Sequence, residues 1–320
     1  MVVLLSILAV LVLAVLVTAY ICFRMAFYAD RKPSEEEYPI PKGEIYEPYR
    51  EQMVAWMKET RAMPREDMEI QSFDGLTLRG KYYECVPGGP IELMFHGYRG
   101  DAERDLCGGV QRCFELKRNT LIVDQRACGS SEGNIITFGI HESDDCHRWI
   151  AHLIERFGPD VKILITGISM GASTVMLAAG RELPKQVVGV LADCGYTSAE
   201  DIIKVVIGKM KLPPKLAYPF VKLGAKLFAH FDPDADSPIE AMKRCKVPVM
   251  FIHGEGDDFV PCDMSRRNFA ACAAKKNLWT VPGAGHGLAF LVDKSGYMKA
   301  LHGFFDPILE ENNILSGQEQ

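Results

Sequence analysis

The chain lacks several features that would identify a metal-binding, redox or nucleic-acid-binding protein. No C-x-x-C pair occurs among its 10 cysteines, so neither a zinc knuckle nor a thioredoxin-like motif is supported. The net charge is −6, and no basic stripe interleaved with aromatic residues appears, which argues against nucleic acid as a partner. Internal repeats and low-complexity tracts are also absent. Unpatterned cysteines in a large domain indicate a reducing environment.

One long apolar run is present, from Val2 to Phe23. Its length meets the roughly 20 residues that a helix needs to span a bilayer. A cleaved signal peptide typically has a lysine or arginine before its apolar segment, and none precedes this run. A buried core helix rarely lacks a polar face over its whole length. We therefore predict an uncleaved transmembrane anchor at residues 1–24.

Basic residues follow the apolar run at Arg24, Arg31 and Lys32, and none precedes it. The positive-inside rule then predicts a catalytic domain in the cytoplasm. The cysteine usage agrees with that orientation, although the sequence leaves the opposite one open. Because the anchor is expected to be separate from the domain, removal of residues 1–30 is expected to give a soluble, active domain.

The rest of the chain is predicted to be one α/β domain. Residues 25–64 form a proline-containing linker and an amphipathic helix, residues 65–312 form the domain, and residues 313–320 form a tail. Asp74-Gly75 predicts a hairpin at the start of the sheet. Strand patterns that alternate with helical patterns follow near 91–95, 119–124, 161–166, 187–193, 247–252 and 278–281. This alternation predicts a mostly parallel sheet with helices on both faces.

The motif that indicates chemistry is Gly167-Ile168-Ser169-Met170-Gly171, which joins a predicted strand to a predicted helix. This order is typical of a nucleophile elbow, a strained turn that exposes the serine at its apex. Gly167 and Gly171 stand where a Cβ would collide with the neighbouring strand or helix. A serine before a helix is more often an N-cap, but the flanking glycines and the matching partners downstream favour a nucleophile.

The partners of Ser169 follow in the order acid, then histidine. Asp257 comes just after the strand near 247–252, and His286 comes just after the strand near 278–281. Asp258 and Glu255 compete for the role of the acid, and the H-G-x-x-D-x-x-V-P spacing favours Asp257. Among the other histidines, His96 and His253 stand at strand ends and are interpreted as structural, and His141, His147 and His152 have no metal-like spacing.

Together these motifs resemble those of the serine hydrolases of the alpha/beta-hydrolase superfamily. The chain is most similar to bacterial membrane-anchored members of esterase, lipase or serine-aminopeptidase type, over about residues 65 to 310. The motifs are H-G-Y-R-G, D-Q-R-A-C-G, G-I-S-M-G, H-G-E-G-D-D-F-V-P and G-A-G-H-G. The resemblance implies the alpha/beta-hydrolase fold, a triad of Ser169, His286 and Asp257, and oxyanion donors at the backbone N–H groups of Tyr98 and Met170. It implies no cofactor and no metal.

The resemblance also implies a reaction, namely cleavage of carboxylic esters through an acyl-enzyme on Ser169. Peptide, amide and thioester bonds are open alternatives, and so is a non-catalytic binding module, which a broken triad would indicate. Residues 195–236 are expected to form a small helical cap over an apolar pocket for a small ester or acyl substrate. Ala127 and Cys128 depart from the family pattern in a loop that borders the active-site mouth, where Cys128 is expected to be exposed.

Overall fold

The computed structural model describes residues 1–30 and 36–318, with side chains described through residue 312. Arg31, Lys32 and the next three residues of the predicted linker lie outside the described residues. The strands are β1 (Glu66–Gln71), β2 (Thr77–Tyr83), β3 (Ile91–Phe95), β4 (Asn119–Val123), β5 (Ile163–Ile168), β6 (Val187–Asp193), β7 (Val249–Gly254) and β8 (Lys276–Val281). The helices are α1 (Val2–Ala26), α2 (Arg50–Ala62), α3 (Ala102–Glu115), α4 (Ile140–Phe157), α5 (Met170–Ala179), α6 (Ala199–Lys209), α7 (Pro214–Gly224), α8 (Pro238–Arg244), α9 (Cys262–Ala271), α10 (Ala289–Val292) and α11 (Lys294–Gln318).

The strands form one sheet in the order β1-β2-β4-β3-β5-β6-β7-β8. β1 and β2 form the predicted hairpin around Asp74-Gly75, and β2 pairs antiparallel with β4. The remaining pairs, from β4 to β8, are parallel. Parallel neighbours need long crossovers, which the helices between these strands provide. The predicted, mostly parallel sheet is therefore observed.

Alternating residues of the strands face two different apolar clusters, as the twofold repeat of a strand requires. In β7, Val249 and Phe251 pack in a cluster with residues of α4, α5 and α8. Met250 and Ile252 pack in a second cluster with residues of α11. Met94 of β3 faces α3 on that second side. Helices thus cover both faces, and the ends of the parallel strands stay free to carry loops.

The predicted cap is present between β6 and α8. It consists of α6, α7 and a π-helical turn at Ala225–Ala229. At the other end of the chain, α11 continues to Gln318, so the described part of the predicted tail is helical.

Helix α1 is 25 residues long and is apolar enough to cross a membrane by length and composition. Most of its length is exposed, whereas Ala19 and Phe23 near its C-terminal end are buried against the cap. Gly224 of α7 lies against this end so closely that a Cβ there would collide with the carbonyl oxygen of Ala19. The two helices therefore approach each other nearly backbone to backbone.

The chain beyond α1 pairs with the domain instead of leaving it as a free linker. Ile136 donates its N–H to the Phe27 carbonyl at 2.8 Å, and Ala29 donates its N–H to the Asn134 carbonyl at 2.9 Å. Phe27 is fully buried. The expectation that residues 1–30 are separable from the domain is therefore wrong for their C-terminal part, since removal would leave a cavity and unpaired backbone groups.

Candidate active site

Ser169 occupies the sharp turn between β5 and α5. Its backbone has φ +57° and ψ −117°, a conformation that L residues adopt only when the surroundings enforce it. A Cβ on Gly171 would collide with the carbonyl oxygen of Phe95, and a Cβ on Gly167 would collide with the backbone of Gly171. Both glycines therefore have the packing reason that the sequence pattern predicts, and helix α5 begins directly behind the serine.

The structure brings together the three side chains that the sequence analysis selected. Ser169 Oγ lies 2.9 Å from His286 Nε2, and His286 Nδ1 lies 2.7 Å from Asp257 Oδ2. The three residues are 117 and 29 positions apart along the chain, in the pairs Ser169–His286 and Asp257–His286. They meet because β5, β7 and β8 are parallel and end at the same edge of the sheet.

The Asp257 side chain is fully buried and richly hydrogen-bonded. Its Oδ1 accepts the backbone N–H groups of Phe259 at 2.9 Å and Val260 at 2.8 Å. Burial opposes ionisation, but the hydrogen bonds from His253 and His286 outweigh it and hold the pKa of Asp257 well below its usual range. An ionised Asp257 accepts from Nδ1–H of His286, which leaves Nε2 free to accept the proton of Ser169.

His253 contributes to this arrangement in a way that the sequence analysis missed. Its Nε2 lies 3.1 Å from Asp257 Oδ2 and 2.9 Å from the Val260 carbonyl, and both of these groups are acceptors. Nε2 therefore carries the proton, and Nδ1 accepts from the Ser265 hydroxyl at 2.6 Å. The interpretation of His253 as structural is too narrow, because this side chain orients the candidate acid. Its position four residues before Asp257 was the available signal.

The loop after β3 lies directly beside the serine. A Cβ built on Gly97 would stand 3.5 Å from the Ser169 Cβ. His96 Nε2 accepts the Gln125 N–H at 3.0 Å, so its Nδ1 carries the proton and donates to the Gly97 carbonyl at 2.7 Å. The Gly97 N–H donates to Asp105 Oδ2 at 3.0 Å. These bonds fix the peptide group that ends in the N–H of Tyr98.

The competing acids have other partners. The Asp258 side chain is 79% exposed and pairs with Lys209 at 3.7 Å. Glu255 accepts a hydrogen bond from the Thr280 hydroxyl at 2.7 Å. Asp257 is therefore the acidic residue of this loop that the structure places at His286.

An apolar cluster, which we call the cap cluster, surrounds the candidate site. It combines residues of the site loops, the cap and the end of α1, including Phe23, Phe27, Cys128, Phe138, Met170, Tyr196, Ile203, Tyr218, Phe231 and Val260. Tyr98 and Phe259 pack against it.

Cys128 is buried, so the expectation of an exposed thiol at the mouth is wrong. Because Ser169 is only 7% exposed, the candidate site is nearly closed to bulk water.

Among the described residues, one group of side chains has donor atoms close enough together to bind a metal ion. Cys194, Asp257 and His286 offer a sulfur, an oxygen and a nitrogen within 4.8 Å of one another. Asp257 and His286 already use theirs in the line to Ser169, and burial raises the pKa of the Cys194 thiol well above its ordinary value. The donor set fits a protonated thiol behind a hydrogen-bonded triad better than it fits a metal centre.

Comparison with known proteins places this geometry in a family. A model described as "Alpha/beta hydrolase family" matches residues 93–295, which is more than half of the chain and includes all three candidate residues. The chain belongs to the alpha/beta hydrolase family. The fold class predicted from the sequence is thereby confirmed, and the family supports a hydrolase activity.

Several relatives of this alpha/beta hydrolase are recognisable by sequence or by structure. Uncharacterized protein YqkD of Bacillus subtilis is 26% identical over 194 residues, which are 60% of this chain and 64% of YqkD, slightly less than two thirds of that relative. Protein bem46 of Schizosaccharomyces pombe is 26% identical over 260 residues, 79% of each chain. The esterase Pf2001 of Pyrococcus furiosus is 20% identical and superposes with a TM-score of 0.66, covering 88% of this chain and 98% of Pf2001. At this identity the likeness to Pf2001 shows the fold alone.

Proposed function

We propose that this alpha/beta hydrolase cleaves carboxylic esters through an acyl-enzyme on Ser169. The observation that carries the proposal is the hydrogen-bonded line from Ser169 Oγ through His286 to a buried, ionised Asp257. Ser169 stands on a strained turn at the start of a helix, and this turn together with the histidine partner is the arrangement that activates a serine hydroxyl. A binding module would not need this line or its support by His253.

The reaction proceeds in two balanced halves. Ser169 Oγ bonds to the ester carbonyl carbon while its proton passes to His286 Nε2, and the oxyanion is stabilised by the backbone N–H groups of Met170 and Tyr98. The C–O bond to the alcohol then breaks, and His286 returns the proton to that alcohol. A water molecule attacks the acyl-enzyme in the same manner, and the carboxylic acid leaves with Ser169 restored.

The cap cluster supports an apolar acyl group as the substrate portion next to Ser169, because the partly exposed Tyr98 and Phe259 pack on it and the Phe259 ring lies 5.1 Å from the ring of His286. Helix α1 supports attachment of the enzyme to a membrane, and Arg24 at its C-terminal end supports a cytoplasmic catalytic domain. In this arrangement the site lies close to the bilayer, since the end of α1 is part of the same cluster.

The test is a comparison of matched esters and amides with the full chain in detergent micelles. We expect steady hydrolysis of p-nitrophenyl butyrate, with an initial burst of p-nitrophenol in proportion to the enzyme if deacylation is slower than acylation. The matched p-nitroanilide should turn over more slowly. Faster turnover of the anilide would indicate an amidase, and turnover of neither substrate would favour a binding module.

A further inference from the structure

The last turn of α1 contacts the loop that carries a proposed oxyanion donor. Tyr98 Oη donates to the Ala26 carbonyl at 2.8 Å, and Arg99 Nη2 donates to the Met25 carbonyl at 2.9 Å and to the Tyr28 carbonyl at 2.8 Å. Consecutive side chains of the loop thus bind two carbonyl groups in the last turn of α1 and one carbonyl group just beyond it, that of Tyr28.

These carbonyls are available because α1 ends at Ala26. The N–H of Ala29, which would continue the helix by bonding to Met25, donates to Asn134 instead. Carbonyls in the last turn of a helix need partners from outside the helix, and a cation is favoured there by the helix dipole. Tyr98 and Arg99 supply the donors, and Arg99 also supplies the positive charge.

The loop needs such support on this side. Arg99 has φ +53°, a left-handed backbone conformation that a residue other than glycine adopts at a cost. His96 and Asp105 hold Gly97 from the side of the sheet, but the side chains of Tyr98 and Arg99 point away from the sheet to α1. Burial raises the pKa of Tyr98 to about 12, so its hydroxyl stays a hydrogen-bond donor.

The end of α1 is itself firmly held. Phe23 and Phe27 are buried in the cap cluster, and Gly224 allows α7 to pack on the backbone of Ala19. Phe27 and Ala29 form backbone hydrogen bonds with the segment around Asn134. The helix end is therefore a fixed support for the loop rather than a flexible tether.

We propose that the last turn of the membrane helix positions the oxyanion loop, with the side chains of Tyr98 and Arg99 as positioning residues. The docked helix holds the Gly97–Tyr98 peptide so that the Tyr98 N–H points to the oxyanion of the reaction. This inference rests on the proposed ester hydrolysis. It makes the anchor part of the active site, so full activity requires α1 and not merely the domain.

The experiment measures kcat and KM for p-nitrophenyl butyrate on the full chain in micelles, with Tyr98→Phe, Arg99→Met and the double variant. Because a misplacement of about 1 Å can cost roughly 100-fold in rate, we expect the double variant to lose about 100-fold in kcat, with KM within about twofold of wild type. Arg99→Lys should recover part of the loss, since an ammonium group can still donate to a carbonyl. Tyr82→Phe and Arg156→Met are matched controls, because Tyr82 of β2 packs on Phe157 and Arg156 pairs with Glu66 of β1, and β1 and β2 are the outermost two strands at one edge of the sheet.

The outcomes separate this inference from the proposed function. If wild type hydrolyses the ester, Ser169→Ala does not, and the double variant keeps its kcat, the positioning role is overturned and the ester hydrolysis stands. A rise in KM alone would equally overturn it, because the two residues would then act in substrate binding. If the double variant fails to fold, Tyr98→Phe, which removes a single oxygen, is the deciding variant. A lowered kcat with unchanged KM would support the positioning role, and a kcat equal to that of wild type would overturn it. Absence of ester turnover by wild type would instead refute the proposed function.

Discussion

Ser169→Ala is expected to abolish hydrolysis while leaving the fold intact. In a serine protease, replacing the nucleophilic serine while the histidine stays in place lowers kcat by about a million-fold. The activity of this variant should therefore fall below detection. The backbone at residue 169 keeps its strained conformation in the alanine variant, and only the bond from Oγ to His286 is lost. The thermal unfolding midpoint should therefore stay close to that of wild type.

Ser173→Ala is the matched control, one turn further along α5. The Ser173 hydroxyl is buried and accepts the Tyr196 N–H at 3.2 Å, so its removal leaves a buried donor unpaired and should cost about 1 kcal/mol of stability. Its catalytic rate should stay near wild type. The two variants are thus expected to differ in opposite ways: Ser169→Ala loses activity and keeps its stability, whereas Ser173→Ala keeps its activity and loses stability. Ester turnover retained by Ser169→Ala would show that another group is the nucleophile.

Asp257→Asn is expected to lower kcat by about 10,000-fold, the loss seen when a triad aspartate is replaced by its amide. The amide can present N–H instead of oxygen to His286, which favours the tautomer that cannot accept the proton of Ser169. The carboxylate also receives hydrogen bonds from His253 and two backbone N–H groups, so some loss of stability accompanies the loss of rate.

Asp258→Asn provides the comparison, because it makes the same chemical change one residue later. Asp258 is exposed and forms a surface ion pair with Lys209, which is worth little. We expect kcat within about twofold of wild type, measured with the same ester. Equal losses in the two variants would mean that the loop, and not the carboxylate at position 257, is what catalysis requires.

Much of the fold and the set of candidate residues could be predicted from the sequence. The strands are short apolar runs bounded by turn residues, so the predicted and observed boundaries differ by at most a few positions, as for β7 near 247–252. The elbow is recognisable because Gly167 and Gly171 must be small for steric reasons that act locally. Asp257 and His286 follow from the parallel topology, which brings strand ends together.

The contacts that the sequence could not predict involve groups without a sequence signature. Tyr98 and Arg99 bind backbone carbonyls of α1, and every residue has such a carbonyl. The burial of Cys128 depends on how the cap and α1 cover its loop, which no local pattern encodes. The apolar run at the N-terminus correctly predicted a helix that is long and apolar enough to cross a membrane, but composition does not show that its last turn is packed into the domain.

The central claim is that Ser169 is activated by His286 and Asp257, and the most direct measurement of it is the site of a fluorophosphonate adduct on the full chain. The account predicts one adduct per chain, located by peptide mass mapping on Ser169 and absent when His286→Ala is treated in the same way. A folded wild-type protein that forms no adduct, or one whose adduct lies on another residue, would contradict it.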